Sequence, residues 1–164
     1  MLRFLVAAAL LALAISVPTA ASAQVVEGEE HCVVNIKTSD VLNVRSKPNA
    51  SAKLVGSLDY AECGVVVDYC SGNWCAVETD DLDGWVNSKY ISMVSPALYC
   101  VTGVAPGDKL NLRAYPATSS KVIARLSRQQ CDIAFLPYAV GSWQKIRVED
   151  DLEGWVNRKY LSGE

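Results

Sequence analysis

From residue 31 onward, apolar and polar residues alternate over short runs instead of recurring every three or four positions. That period of two belongs to half-buried strands, not to amphipathic helices. The first half predicts strands at Cys32–Lys37, Val41–Arg45, Lys53–Leu58, Cys63–Cys70, Trp74–Glu78 and Gly84–Val86. The second half predicts them at Leu98–Val104, Lys109–Arg113, Lys121–Leu126, Cys131–Tyr138, Trp143–Val148 and Gly154–Val156. Turn-forming residues punctuate both sets, among them Lys47-Pro48-Asn49, Ser71-Gly72-Asn73, Pro106-Gly107-Asp108 and Gly141-Ser142. Asn87–Tyr90 and Asn157–Tyr160 read as single helical turns before a last strand. Short strands at this spacing predict an all-β chain of small antiparallel barrels.

The two halves are one unit written twice. Asp80-Asp81-Leu82-Asp83-Gly84-Trp85-Val86-Asn87-Ser88-Lys89-Tyr90 returns at 150–160, with nine of eleven residues identical. Leu42-Asn43-Val44-Arg45 with Pro48 returns 68 residues later as Leu110-Asn111-Leu112-Arg113 with Pro116. The offset then grows to 69 at Trp74 and Trp143, and to 70 at Trp85 and Trp155, so the second copy carries two single-residue insertions. A unit of this length exceeds the usual solenoid repeat, which makes each copy a small domain. The expected division is a first domain at 31–94, a linker at 95–97 and a second domain at 98–164.

Residues 1–23 read as a cleaved secretory signal, with Arg3, an apolar run from Phe4 to Val17 and a small-residue site at Ala21-Ser22-Ala23. The run is shorter than the roughly 20 residues of a membrane span, and Pro18 ends it. The expected location is therefore the periplasm or the exterior, without a membrane span, after a short N-terminal segment at 24–30. Six cysteines in the exported part then predict three disulfides. Six thiols allow fifteen pairings in general. Equivalent positions should bond equivalently, which gives Cys32–Cys63 and Cys100–Cys131 and leaves Cys70 for Cys75. Modules this small bury little core, so such bridges contribute a large share of their stability.

LNVRSKP and LNLRAYP, followed in each copy by a Trp-bearing strand and GWVN-x-KY, resemble the bacterial SH3-like (SH3b) domain. The resemblance covers nearly all of 31–162 as two tandem copies. It implies barrels of five or six strands in an exported protein, serving to bind cell-wall peptides or protein partners. In the wider SH3 family a Trp on the central strand and a Tyr on the last helical turn line a peptide groove. The matching residues are Trp74 and Tyr90 in copy one, and Trp143 and Tyr160 in copy two. Asn87 and Asn157 stand where that wider family has proline, which argues against proline-rich ligands. Tyr115 on a loop tip, with Arg113 beside it, makes copy two the better candidate for a binding face. Trp85 and Trp155 are expected in the core.

Charge separates the copies. Residues 24–96 hold 5 basic and 11 acidic side chains, and 97–164 hold 9 basic and 7 acidic, within a chain of formal net charge −3. This is not the basic footprint of a nucleic-acid binder. No cofactor is expected. The spacing of Cys70 and Cys75 fits neither a redox motif nor a zinc knuckle, and Asp81-x-Asp83-Gly84 lacks the remaining ligands of a calcium loop. His31 has no nucleophile placed around it, so no catalytic residue set is expected. The sequence thus points to a non-catalytic binding or scaffolding protein, whose partner is a cell-wall peptide or an envelope protein. The alternatives are an inhibitor or accessory subunit of an envelope enzyme, or a purely structural protein whose grooves are filled by the neighbouring module.

Overall fold

The computed structural model describes residues 25–162, and the expected signal at 1–23 lies outside the described residues. Copy one contains β1 (Glu30–Val33), β2 (Val41–Arg45), β3 (Leu54–Asp59), β4 (Val65–Ser71), β5 (Trp74–Glu78), β6 (Asp83–Asn87) and β7 (Ile91–Met93). Copy two contains β8 (Lys109–Arg113), β9 (Val122–Ser127), β10 (Ala134–Val140), β11 (Trp143–Val148) and β12 (Leu152–Asn157). A 3-10 turn, at Ser88–Tyr90 and again at Arg158–Tyr160, follows the Trp-Val-Asn strand of each copy. The strands form two antiparallel sheets, ordered β3-β2-β6-β5-β4-β1-β7 and β10-β11-β12-β8-β9. Each folds round its own apolar core: Leu42, Val44, Val65, Val67, Val86 and Ile91 in one, Leu110, Leu112, Ile133, Ile146, Val156 and Leu161 in the other. Two tandem SH3-like barrels, each disulfide-stapled, are the result.

The glycine before each tryptophan has a steric reason. A Cβ on Gly84 would stand 2.6 Å from Val44 Cγ1 and 2.9 Å from the Arg45 carbonyl oxygen, and one on Gly154 would stand 2.7 Å from Leu112 Cγ. β6 approaches β2, and β12 approaches β8, too closely for any side chain there.

Several expected boundaries shift, and the backbone says why. The strand expected at Cys32–Lys37 begins at Glu30 and stops at Val33, because Asn35 turns into the left-handed region at φ 59°. The one expected from Cys131 starts only at Ala134, after left-handed Gln129 and Asp132. The strand expected at Leu98–Val104 reduces to isolated bridges, Tyr99 to Ile133 and Val101 to Leu161. Trp85 and Trp155 are not in the interior of their barrels either. Alternation along the strand sends Val86 and Val156 inward to full burial and turns both indoles to the outer face of the sheet. Trp85 there meets Tyr69 edge-on at 5.4 Å between ring centroids.

All three disulfides form as paired by the duplication: Cys32–Cys63, Cys70–Cys75 and Cys100–Cys131. The first lies in a third apolar cluster, between the copies. Cys32, Val34 and Val94 pack there against Ala134, Leu136 and Tyr138, with Ala61, Cys63 and Trp155 at its margin. The Tyr138 hydroxyl donates to the Val33 carbonyl at 2.8 Å. Burial pushes this phenol above its usual range and keeps it a donor. Arg147 grips both carboxylate oxygens of Glu30, the shorter contact 2.8 Å, and also reaches Glu153, which Lys145 approaches to 2.8 Å. The Glu30 hydrogen bonds push the guanidinium still further toward its charged form. In the linker, Ser95 exchanges two hydrogen bonds with Phe135 of β10, one through its backbone N–H and one through its hydroxyl oxygen. The copies therefore meet through a packed interface and are not beads on a string.

Candidate functional site

Each copy carries an open groove at the same place. In copy two it encloses about 540 Å³ between Trp143 at the start of β11 and Tyr160 on the last 3-10 turn. In copy one it encloses about 370 Å³ between Trp74 and Tyr90. Local structure holds these walls in position. The 3-10 turn is capped by Asn87, whose side chain accepts from Lys89 N, and equivalently by Asn157 for Lys159 N. The turn is tied to the hairpin ahead of the tryptophan by Ser88 N donating to the Asn73 carbonyl, and by Arg158 N donating to that of Ser142. Trp and Tyr stand 16 residues apart in copy one and 17 in copy two, yet these hydrogen bonds bring their segments together at one groove. Lys89 stands 4.4 Å above the Tyr90 ring and Lys159 4.7 Å above that of Tyr160, adding a cation to each wall.

Arg113 lines the larger groove, and its guanidinium donates to the Ser120 carbonyl at 2.7 Å; Arg45 does the same to Ala52 at 2.9 Å. Both arginines thus fasten the loop after the first groove strand while lining the groove. Tyr115 is 73% exposed on that loop and stands outside the groove lining. The structure accordingly brings Arg113, Trp143 and Tyr160 together, Trp74 and Tyr90 together, and leaves Tyr115 on the rim side. All four groove aromatics are half-buried, and none belongs to the inter-copy cluster.

The sequence reading missed the polar groups of the groove. Asp40 and Asp108 cap the strand that follows, each accepting from the next backbone N–H, and Asn43 and Asn111 line the floor. Their signal was their identity in both copies, since Asp40 and Asp108, like Asn43 and Asn111, stand 68 residues apart. Two differences stand out. Lys109 and Thr118 line the second groove where Val41 and Ala50 line the first. The second groove is therefore larger and more cationic, with Asp108 opposed by Lys109, Arg113 and Lys159.

His31, for which no nucleophile was expected, is fully buried in β1. Its Nδ1 donates to the Glu29 carbonyl at 2.8 Å, and its Nε2 accepts from Val26 N at 3.1 Å. That arrangement requires the neutral ring protonated on Nδ1, and burial lowers its pKa in the same sense. It holds residues 25–29 against the barrel, with Gly28 N donating to the Val67 carbonyl. The six cysteines are all bridged, and neither groove is lined by histidine.

Comparison with known proteins agrees with the internal repeat. No curated protein sequence matches the chain. Among solved structures it is similar to NlpC2 from Trichomonas vaginalis, at 11% identity and a TM-score of 0.39, covering 83% of this chain and 48% of that one. It is likewise similar to NlpC1 from Trichomonas vaginalis, at 11% identity and a TM-score of 0.39, covering 92% of this chain and 51% of that one. The chain spans about half the length of these structures. The bacterial SH3 domain matches twice, at residues 40–92 and 108–162, each match running from the first groove strand through the final 3-10 turn. With both copies matched across strands and groove alike, the chain belongs to the bacterial SH3 domain family as a tandem pair.

Proposed function

We propose that this protein is a non-catalytic binding module of the cell envelope, whose grooves take an extended peptide: a cell-wall stem peptide or an extended segment of an envelope protein. One observation carries the reading. Two copies that differ in disulfides, charge and loop residues keep the same Asp, Asn, Arg, Trp, Asn, Lys and Tyr around an open groove. Part of that identity is local structure, since the Asp, Arg and second Asn also cap or fasten backbone. Tyr90 and Tyr160 also pack against their barrel cores, but Trp74 and Trp143 meet no such need, and half-buried rings lining one groove give an extended chain large contact area at low entropic cost. The family is one of binding modules, which agrees with this reading. We take the modules as 31–94 and 98–164 joined by 95–97, with export directed by 1–23 to the periplasm or exterior, where the disulfides persist.

The second groove, larger and flanked by Tyr115, is the stronger site. Co-sedimentation with purified peptidoglycan, prepared with and without its peptide stems, tests this. Retention should require the stems and should be lost in the Tyr115→Ala, Trp143→Ala double variant, whose side chains lie outside the cores. Retention unchanged by the double variant sinks the site. If neither preparation retains the intact protein, the cell-wall ligand is wrong and the envelope-protein segment takes its place.

A further inference from the structure

The contact between the copies is not symmetric. Copy two offers a sheet face carrying Ala134, Tyr138 and Trp155, whereas copy one offers its end, with Cys32, Val34 and the Ala61–Cys63 turn. Strand register locates the same sheet face in copy one. Val66 pairs with Glu78 as Ala134 pairs with Arg147, so Val66 holds the place of Ala134. Trp85 and Tyr69 hold those of Trp155 and Tyr138, at offsets of 70 and 69. Nothing among the described residues covers this second edition of the face. Ala134 and Tyr138 are 8% and 9% exposed, while Val66 and Tyr69 are 39% and 53% exposed.

The end that would match it is also free. Leu98 occupies the place of Glu30 and is 78% exposed, and exposed Arg128 occupies the place of Tyr60. The Cys100–Cys131 bridge stands where Cys32–Cys63 enters the internal contact, and Cys131 is exposed. Charges complement one another as well. The uncovered face is bordered by Asp68, Glu78 and Asp83, none of them ion-paired among the described residues, against Arg128 on the matching end. In the internal contact Tyr60 meets Tyr138 edge-on at 6.0 Å. Arg128 in the same place would stand over Tyr69 with Asp68 beside it, a cation–π contact flanked by a carboxylate.

We propose that the Val66–Tyr69–Trp85 face of copy one docks the Leu98–Arg128 end of copy two from a second copy of this chain. The contact reuses the apolar part of the one already made within each molecule, without its ion-pair clamp, because Glu78 and Leu98 stand in the places of Arg147 and Glu30. Being head-to-tail, it does not close by two-fold symmetry and builds rings or open chains. The acidic first copy and the more basic second copy steer the encounter, which makes it sensitive to salt. This inference is independent of what the grooves bind.

Sedimentation velocity on the oxidised protein, from low micromolar to near-millimolar concentration, tests it. Dimers and longer species should grow with concentration and recede with salt. Tyr69→Ala removes one end of the contact and Arg128→Glu the other; both residues are exposed, and near-UV circular dichroism checks that the fold stays intact. Each variant alone should associate roughly tenfold more weakly or worse. Mixed together, they retain one sound face and one sound end, and should form a capped heterodimer that grows no further. A monomer at every concentration overturns the proposal. So does a dimer indifferent to Arg128→Glu, or a mixture behaving as the sum of its parts.

Discussion

The Cys32–Cys63 and Cys100–Cys131 bridges hold the same place in two copies of one module, and their surroundings are opposite. Cys32 is sealed in the cluster between the copies, whereas Cys131 faces solvent. The same holds for Glu30, clamped by Arg147, against exposed Leu98 at the matching position. The barrels and grooves are alike; the ends differ because one of them is an interface. Duplication alone does not tell which residues a copy buries. The single contact between copies does, by covering one end and one sheet face and leaving their counterparts bare.

The comparison should show most strongly in the bridges. Either bridge closes a loop with sequence separation 31, worth roughly 3–4 kcal/mol in the chain-entropy description. Replacing Cys32 and Cys63 by alanine should cost about 1 kcal/mol more than replacing Cys100 and Cys131, because only the former also removes packed sulfur from an apolar cluster. Urea unfolding of the two double variants measures the gap. Equal losses would mean that the inter-copy cluster gains nothing from its cystine.

A smaller difference separates the two glycines. A methyl on Gly84 meets the Arg45 carbonyl oxygen at 2.9 Å, a backbone atom that has little room to move, whereas on Gly154 it meets only side chains of Leu112 and Ile123. Gly84→Ala should cost about 3 kcal/mol and Gly154→Ala about 1–2 kcal/mol, both by overpacking. Thermal unfolding ranks them, and a reversed order would show that the second barrel is the less able to relax.

The smallest effect is the response to acid, and the two groups that carry it, His31 and Glu30, lie in copy one. Burial holds the His31 pKa below 6.5, so the folded state resists the proton that the unfolded state takes up. Its stabilising contribution is complete above about pH 6.5 and is lost as pH falls through the lower folded value. Glu30 acts in the same direction further down. Burial by itself would raise its pKa, but hydrogen bonds from Arg147 and Gly64 and the nearby positive charge bring it below 4.5. Amide exchange followed on acidification should therefore open residues 25–33 while the matching stretch at 98–101 stays unchanged. His31→Gln should remove the first part of that response.

Much of this was legible in the chain. The strands at Val41–Arg45, Trp74–Glu78, Lys109–Arg113 and Trp143–Val148 have the predicted ends, because alternation and turn residues agree there. The three bridges followed from the repeat. The boundaries that moved did so at Asn35, Gln129 and Asp132, left-handed residues that are not glycine: Asn and Asp give a weaker local sign than glycine, and Gln gives none. Trp85 and Trp155 were misjudged by size: strand parity, with Val86 and Val156 inward, outweighs the general tendency of large rings to be buried. The Tyr138–Val33 and Arg147–Glu30 contacts join residues 105 and 117 apart, and no local pattern announces them. The groove aromatics could be named from the resemblance, but the lysines over the tyrosine rings required coordinates.

The clamp of Arg147 on Glu30, with Tyr138 bonded to Val33 beside it, turns the pair of modules into a ruler. Two sites on a flexible tether adapt to many spacings, while two on a rigid mount select one. On the proposed reading, a ligand that presents its recognised segment repeatedly would engage both grooves only where its own repeat matches their separation. Cutting the clamp would leave each groove intact and blunt the gauge between them.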